Sequence, residues 1–106
     1  MQVLRWQEAK TPQEQELYRR MQHEGLSPYT WSNGPGYSYA VHNHTYEKVL
    51  YCVRGSICFV LPDLANTIGN MGAIDLAPGD CLILPAGVRH SAQVGPQGVT
   101  CLEAAR

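Results

Sequence analysis

Residues 71–94, MGAIDLAPGDCLILPAGVRHSAQV, carry the pattern from which the architecture follows. Three apolar runs, Met71–Leu76, Cys81–Leu84 and Arg89–Val94, are cut by Ala77-Pro78-Gly79-Asp80 and Pro85-Ala86-Gly87. Each run is too short for a stable helix, and the breaks are residues that turn a chain sharply. Short runs with tight breaks between them form antiparallel strands.

The same rhythm extends in both directions. Tyr37–His44, Lys48–Arg54 and Ser56–Leu61 precede the segment, and Val99–Glu103 follows it. The further breaks fall at Arg54-Gly55, Pro62–Asn70 and Gly95-Pro96-Gln97-Gly98. Seven short strands predict a mainly β chain, either a small barrel or a sandwich. Upstream, Thr11-Pro12-Gln13-Glu14 reads as a capping box with Pro at the first helical position. Residues 13–24 contain no Gly, Pro or β-branched side chain, and Gly25 offers a left-handed stop. Leu17 and Met21, with Tyr18 beside them, give this single N-terminal helix a narrow apolar stripe. In the run Cys81–Leu84 both faces are apolar, so the helix or a second subunit has to cover the outer one. The short segment Val3–Trp6 is expected to cover the sheet or its edge. The reading is one domain over 1–106, with 1–35 as an appendage and 36–104 as the barrel.

Composition sets the outer limits. The 106 residues are 44% hydrophobic and 16% charged, enough to bury a core. Eight Lys and Arg against nine Asp and Glu leave a net charge of −1. A nucleic-acid partner or a polybasic membrane contact would need a dense cationic surface, so neither is expected. The opening residues Met1–Glu8 lack an apolar signal-peptide core, which makes a cytoplasmic location the expectation. Cys52, Cys58, Cys81 and Cys101 form no Cys-x-x-Cys pair and read as reduced, small apolar residues. If Arg54-Gly55 is a hairpin turn, Cys52 and Cys58 fall on opposite faces.

Three histidines supply the chemistry. His42 and His44 lie two apart on a predicted strand, so their imidazoles share a face. His90 follows the Pro85-Ala86-Gly87 turn on another. A same-face pair plus one distant His makes a three-ligand cap, and imidazole is the commonest transition-metal ligand. By parity Ser38 and Ala40 share the His42 face and leave room beside a ligand, whereas Tyr37, Tyr39 and Val41 face the other way.

In these residues the sequence resembles the cupin superfamily. Gly36, five residues, His42-Asn43-His44, then Glu47-Lys48 and Gly55 are similar to the first cupin motif. Gly79, five residues, Pro85-Ala86-Gly87, two residues and His90 are similar to the second. The match runs from Gly36 to Val94. The resemblance implies a single-domain jelly-roll β-barrel, frequently a homodimer. It also implies that His42, His44 and His90 ligate a divalent transition metal: Fe, Mn, Ni, Zn or Cu. The chain departs from the pattern in two places. The position of the family's glutamate ligand falls on Lys48, and the Asn that usually ends the second motif is Val94.

Some three-His cupin dioxygenases, acting on thiols or on a β-diketone, work without that glutamate. The resemblance therefore implies a dioxygenase-like metalloenzyme on a small organic acid or dicarbonyl. A non-catalytic ligand-binding or sensory module, with weak or no metal, is the alternative. Glu47 is one place from the glutamate position and reads either as a fourth ligand turned inward by a bulge or as a surface carboxylate. Lys48 reads as a pocket cation for an acidic substrate, or as a packed stem whose ammonium reaches the barrel mouth. Tyr46 reads as a substrate hydrogen-bond partner or as a packed turn residue. Arg89, of opposite parity to His90, reads as a rim cation, and Asp80 as the residue that fixes its turn.

Overall fold

The computed structural model describes residues 1–106. Seven strands, β1 (Gln2–Leu4), β2 (Tyr29–Asn33), β3 (Ser38–His42), β4 (Lys48–Val60), β5 (Ala73–Leu76), β6 (Cys81–Leu84) and β7 (His90–Ala105), pair antiparallel throughout. The helix α1 spans Glu14–His23.

β4 and β7 organise everything else. They are the two longest strands, at 13 and 16 residues, and pair along their whole length. Both bend at one place, so each serves two sheets. Their Lys48–Cys52 and Val99–Ala105 halves sit in the order β1-β6-β4-β7-β2. The other halves, Ile57–Val60 and His90–Val94, sit between β5 and β3. Long strands that pass from one sheet to the other through a bend form the corners of a barrel.

The bend corrects one expectation. Arg54-Gly55 is not a hairpin turn but a bulge within a single strand, and Gly95–Gly98 is the matching irregularity in β7. Gly55 is opposite Val99 and Ile57 opposite Val94, so Ser56 faces four residues of the partner strand. Gly55 has φ +75, and a Cβ there would collide with the Gly98 carbonyl. Only glycine lets the two backbones approach this closely in that conformation. The bulge also resets alternation. Cys52 lies in the core, while Cys58 is part-exposed opposite Asp75.

The main core fills the space between the sheets. Leu50, Cys52, Leu82, Leu84 and Cys101 come from one side, and Ile57, Phe59, Ile74, Leu76 and Val94 from the other. A second cluster lies on the outer face of the larger sheet. There Leu17 and Met21 of α1, both fully buried, pack with Val49, Val53, Cys81, Leu102 and Ala104. The helix is the cover that the two-faced apolar run Cys81–Leu84 requires. Met21→Ala is expected to lower unfolding stability by about 2–3 kcal/mol, read as a shifted urea midpoint with unchanged slope.

The capping box does not form. The helix starts at Glu14, Gln13 occupies the N-cap, and no side chain caps it. Asp80 holds the N-terminal segment down instead. Its Oδ2 accepts from the Ala77 amide at 2.9 Å and its Oδ1 from the Trp6 amide at 2.9 Å, with Arg5 Nη1 at 2.9 Å from Oδ2. One buried carboxylate thus closes the 77–80 turn and carries the chain from β1, paired to the β6 edge, toward α1.

The appendage boundary at residue 35 is also corrected. Tyr29–Asn33 pairs with Val99–Glu103 of β7, so the barrel begins before Gly36. Residues 62–72 hold short helical turns rather than open loop, and β5 starts at Ala73 rather than Met71. No helix is long and apolar enough to cross a membrane.

Candidate metal centre

The three histidines converge. His42 and His90 are directly opposed in the β3–β7 register, and His44 follows two residues after His42. Ring centroids are 4.4 Å apart for His42–His90, 4.9 Å for His42–His44 and 5.3 Å for His44–His90. One ligand nitrogen from each lies within 4.8 Å of the others. The 85–87 turn fastens the two motifs together, since the Gly87 amide donates to the His44 carbonyl at 2.8 Å.

Hydrogen bonds set the tautomers of two rings. His42 Nδ1 is 2.8 Å from the Ala40 carbonyl and His90 Nδ1 is 3.0 Å from the Val88 carbonyl. A carbonyl oxygen only accepts, so each Nδ1 carries the proton and each Nε2 keeps its lone pair. His44 Nε2 and His90 Nε2 are buried and have no hydrogen-bond partner. Orphaned buried nitrogens normally cost stability. Here they belong to a donor set that fits a divalent transition metal: three imidazoles, two of them oriented from behind by backbone carbonyls.

Burial is the first cause that lowers the His44 and His90 pKa values below their ordinary 6.5, with the Lys48 ammonium contributing to both. The unfolded chain therefore binds more protons than the metal-free native state once pH falls below about 6.5. The sign follows: metal-free stability should fall as pH drops from 7 toward 5, and thermal melts across that range would check it.

His42 and His44 edge a cavity of about 280 Å³. Its other walls include Tyr29, Trp31, Asn33 and Tyr39 from β2 and β3, and Ile57 and Phe59 from β4. Lys48 also lines it, and is buried. The Lys48 ammonium lies 3.2 Å from Glu103 Oε1 and 5.7 Å from the Phe59 ring centroid.

The remaining expected residues do not join the cavity. Glu47 forms a surface ion pair, with Arg106 Nε donating to its Oε1 at 2.6 Å, and lies outside the histidine group. Ser38 and Ala40 are exposed and do not line the wall. A register shift between Tyr39 and His42 resets the alternation, so both of those side chains face the cavity. Tyr46 packs against His44 with the ring centroids 4.9 Å apart, outside the lining. Arg89 pairs with Asp63 on the surface, at 2.6 and 2.8 Å.

Glu103 is the charged cavity residue that sequence reasoning missed. Its Oε2 accepts from the Tyr29 hydroxyl at 2.7 Å and its Oε1 from Trp31 Nε1 at 3.1 Å, besides the Lys48 contact. The signal was present: a single charged residue in the close of the last strand, Val99–Ala105.

Burial holds three of the four cysteines as neutral thiols. Burial pushes the Cys52 and Cys81 thiols up to about 12 and Cys101 higher still, and all four cysteines are free.

No protein-family model matches the sequence, and no curated protein matches it. Solved structures do. The polyketide cyclase RemF from Streptomyces resistomycificus is 27% identical with a TM-score of 0.63, over 76% of this chain and 53% of that one. KdgF from Halomonas sp. is 20% identical with a TM-score of 0.59, over 76% and 67%. An RmlC-like cupin from Shewanella frigidimarina is 23% identical with a TM-score of 0.60, over 76% and 64%. This chain therefore spans about half the length of RemF. The bend shared by β4 and β7, the histidines at one end of that pair and these likenesses lead to one conclusion: the chain has the cupin fold.

Proposed function

We propose that His42, His44 and His90 hold a divalent transition metal and that the chain is a small metalloenzyme acting on an oxygen-bearing organic compound. The observation that carries this reading is the pair of buried, unpartnered Nε2 atoms, on His44 and His90, within a three-imidazole group whose His42 and His44 line an aromatic cavity. Three neutral ligands leave coordination positions open. A metal bound there would supply Lewis-acid polarisation of a carbonyl, enol or phenol oxygen, or a site for oxygen chemistry.

The chain's own residues have definite parts. Val88 and Ala40 carbonyls hold the imidazoles in the ligating tautomer, and Trp31, Tyr39 and Phe59 shape an apolar, planar space. RemF is a polyketide cyclase, so carbonyl chemistry without oxygen uptake stands beside the oxygenase reading. Oxygen consumption with phenol and dicarbonyl substrates separates the two.

The first test is metal content. Protein purified without chelator, or reloaded anaerobically with Fe²⁺, is expected to hold close to one metal per chain by elemental analysis. Less than about 0.1 per chain after loading would overturn the metalloenzyme and leave a metal-free ligand-binding barrel.

A further inference from the structure

Lys48 and Glu103 form a second polar cluster in the cavity that His42 and His44 line. Both are more than nine-tenths buried, and they come from paired strands, β4 and β7. Both oxygens of Glu103 are engaged: Trp31 donates to one and Tyr29 to the other, and the Lys48 ammonium forms an ion pair with the first at 3.2 Å. Lys48 is not fully engaged. An ammonium has three donors, and the acceptor group it meets here is the Glu103 carboxylate. The remaining N–H bonds belong to a buried side chain that lines the cavity.

Charge decides what such a donor recognises. Alone, a buried lysine would be a receptor for carboxylates. With Glu103 at 3.2 Å its field is largely cancelled, and an anion reaching Lys48 also meets the Glu103 charge. A neutral carbonyl, enol or phenol oxygen accepts the hydrogen bond without that repulsion. The surrounding walls are flat. Trp31, Tyr39 and Phe59 line the space, and a volume of about 280 Å³ suits one small ring.

We infer that Lys48 is a specificity residue, held in a net-neutral pair by Glu103, that binds the second oxygen of a planar, uncharged, two-oxygen substrate whose first oxygen sits at the three histidines. This rests on the metal-centre reading only for the first oxygen. It narrows the expected substrates from small organic acids or dicarbonyls to uncharged phenols, enols and dicarbonyls.

Isothermal titration with resorcinol and with 3-hydroxybenzoate tests it, because the two rings differ in charge. Metal content is measured on every sample, and the titrations are repeated on chelator-treated protein. Lys48→Met is expected to weaken resorcinol binding about tenfold while leaving metal content unchanged. Glu103→Gln keeps a side chain of the same shape but removes the charge. It is expected to raise 3-hydroxybenzoate affinity relative to resorcinol by about tenfold, a shift that a merely structural role would not produce. Unchanged resorcinol affinity in Lys48→Met, or an unchanged affinity ratio in Glu103→Gln, overturns the proposal. If the wild type takes up no metal but Lys48→Met still loses resorcinol in metal-free protein, the metal reading fails and the Lys48 role stands.

Discussion

His90→Ala is expected to reduce metal content from close to one per chain to less than about 0.1, with the fold retained. His90 is the buried anchor of the three. It is about 1% exposed, its Nδ1 is committed to the Val88 carbonyl, and its Nε2 has no partner. Removing it leaves His42, an exposed residue, and His44, half-buried in the segment after β3, as a two-ligand site. Two imidazoles without chelate support from a third element hold a divalent ion far more weakly. His90→Ala relieves an orphaned nitrogen but opens a cavity beside Phe59, whose ring centre is 6.2 Å away, so the metal-free melting temperature should move only modestly. Glu47→Gln is the matched control. Glu47 is engaged with Arg106 at the surface, and full metal content in that variant separates the three-His site from one with a fourth carboxylate. Undiminished metal in His90→Ala would place the ion elsewhere.

The parts of this fold that were legible in the sequence are those fixed by local chemistry. Turns at Pro78-Gly79 and Pro85-Ala86-Gly87 bound β6 because proline and glycine act where they stand. The apolar stripe Leu17–Met21 marks a helix that buries one side, and it does. What stayed hidden was decided by a partner strand. A glycine at positive φ suits a hairpin turn or a bulge equally, and only pairing with Val99 makes Gly55 a bulge. Tyr29–Asn33 is a five-residue strand, mostly exposed and flanked by turn residues, so its pattern resembles a loop until β7 pairs with it. The bulge between Tyr39 and His42 has no signature at all, yet it exchanges Ser38 and Ala40 for Tyr39 in the cavity wall. The histidines escaped this problem because the two-motif spacing identifies them without reference to parity. Lys48 was marked by its odd place in that spacing, but the residue that gives it meaning lies 55 positions away on another strand.

That separation makes Glu103→Leu the most destabilising single change expected. It leaves a buried ammonium without its counter-charge, and breaking a buried pair from one side costs about 3–5 kcal/mol. It also strips acceptors from the Tyr29 hydroxyl and Trp31 Nε1. The loss should not be read as the worth of the salt bridge. Replacing both partners, Lys48→Met with Glu103→Leu, removes the charge that needed compensation and should recover most of the stability. A double-mutant cycle in urea gives the coupling directly. A double-variant loss far smaller than the sum of the two single losses means the pair exists as a unit, and near-additivity means that Glu103 acts through Tyr29 and Trp31 alone. Recovery of stability without recovery of resorcinol binding in the double variant would show what the pair is for. An apolar pair fills the same wall more cheaply, so a buried Lys–Glu couple beside three histidines makes sense as a recognition element rather than as a source of stability.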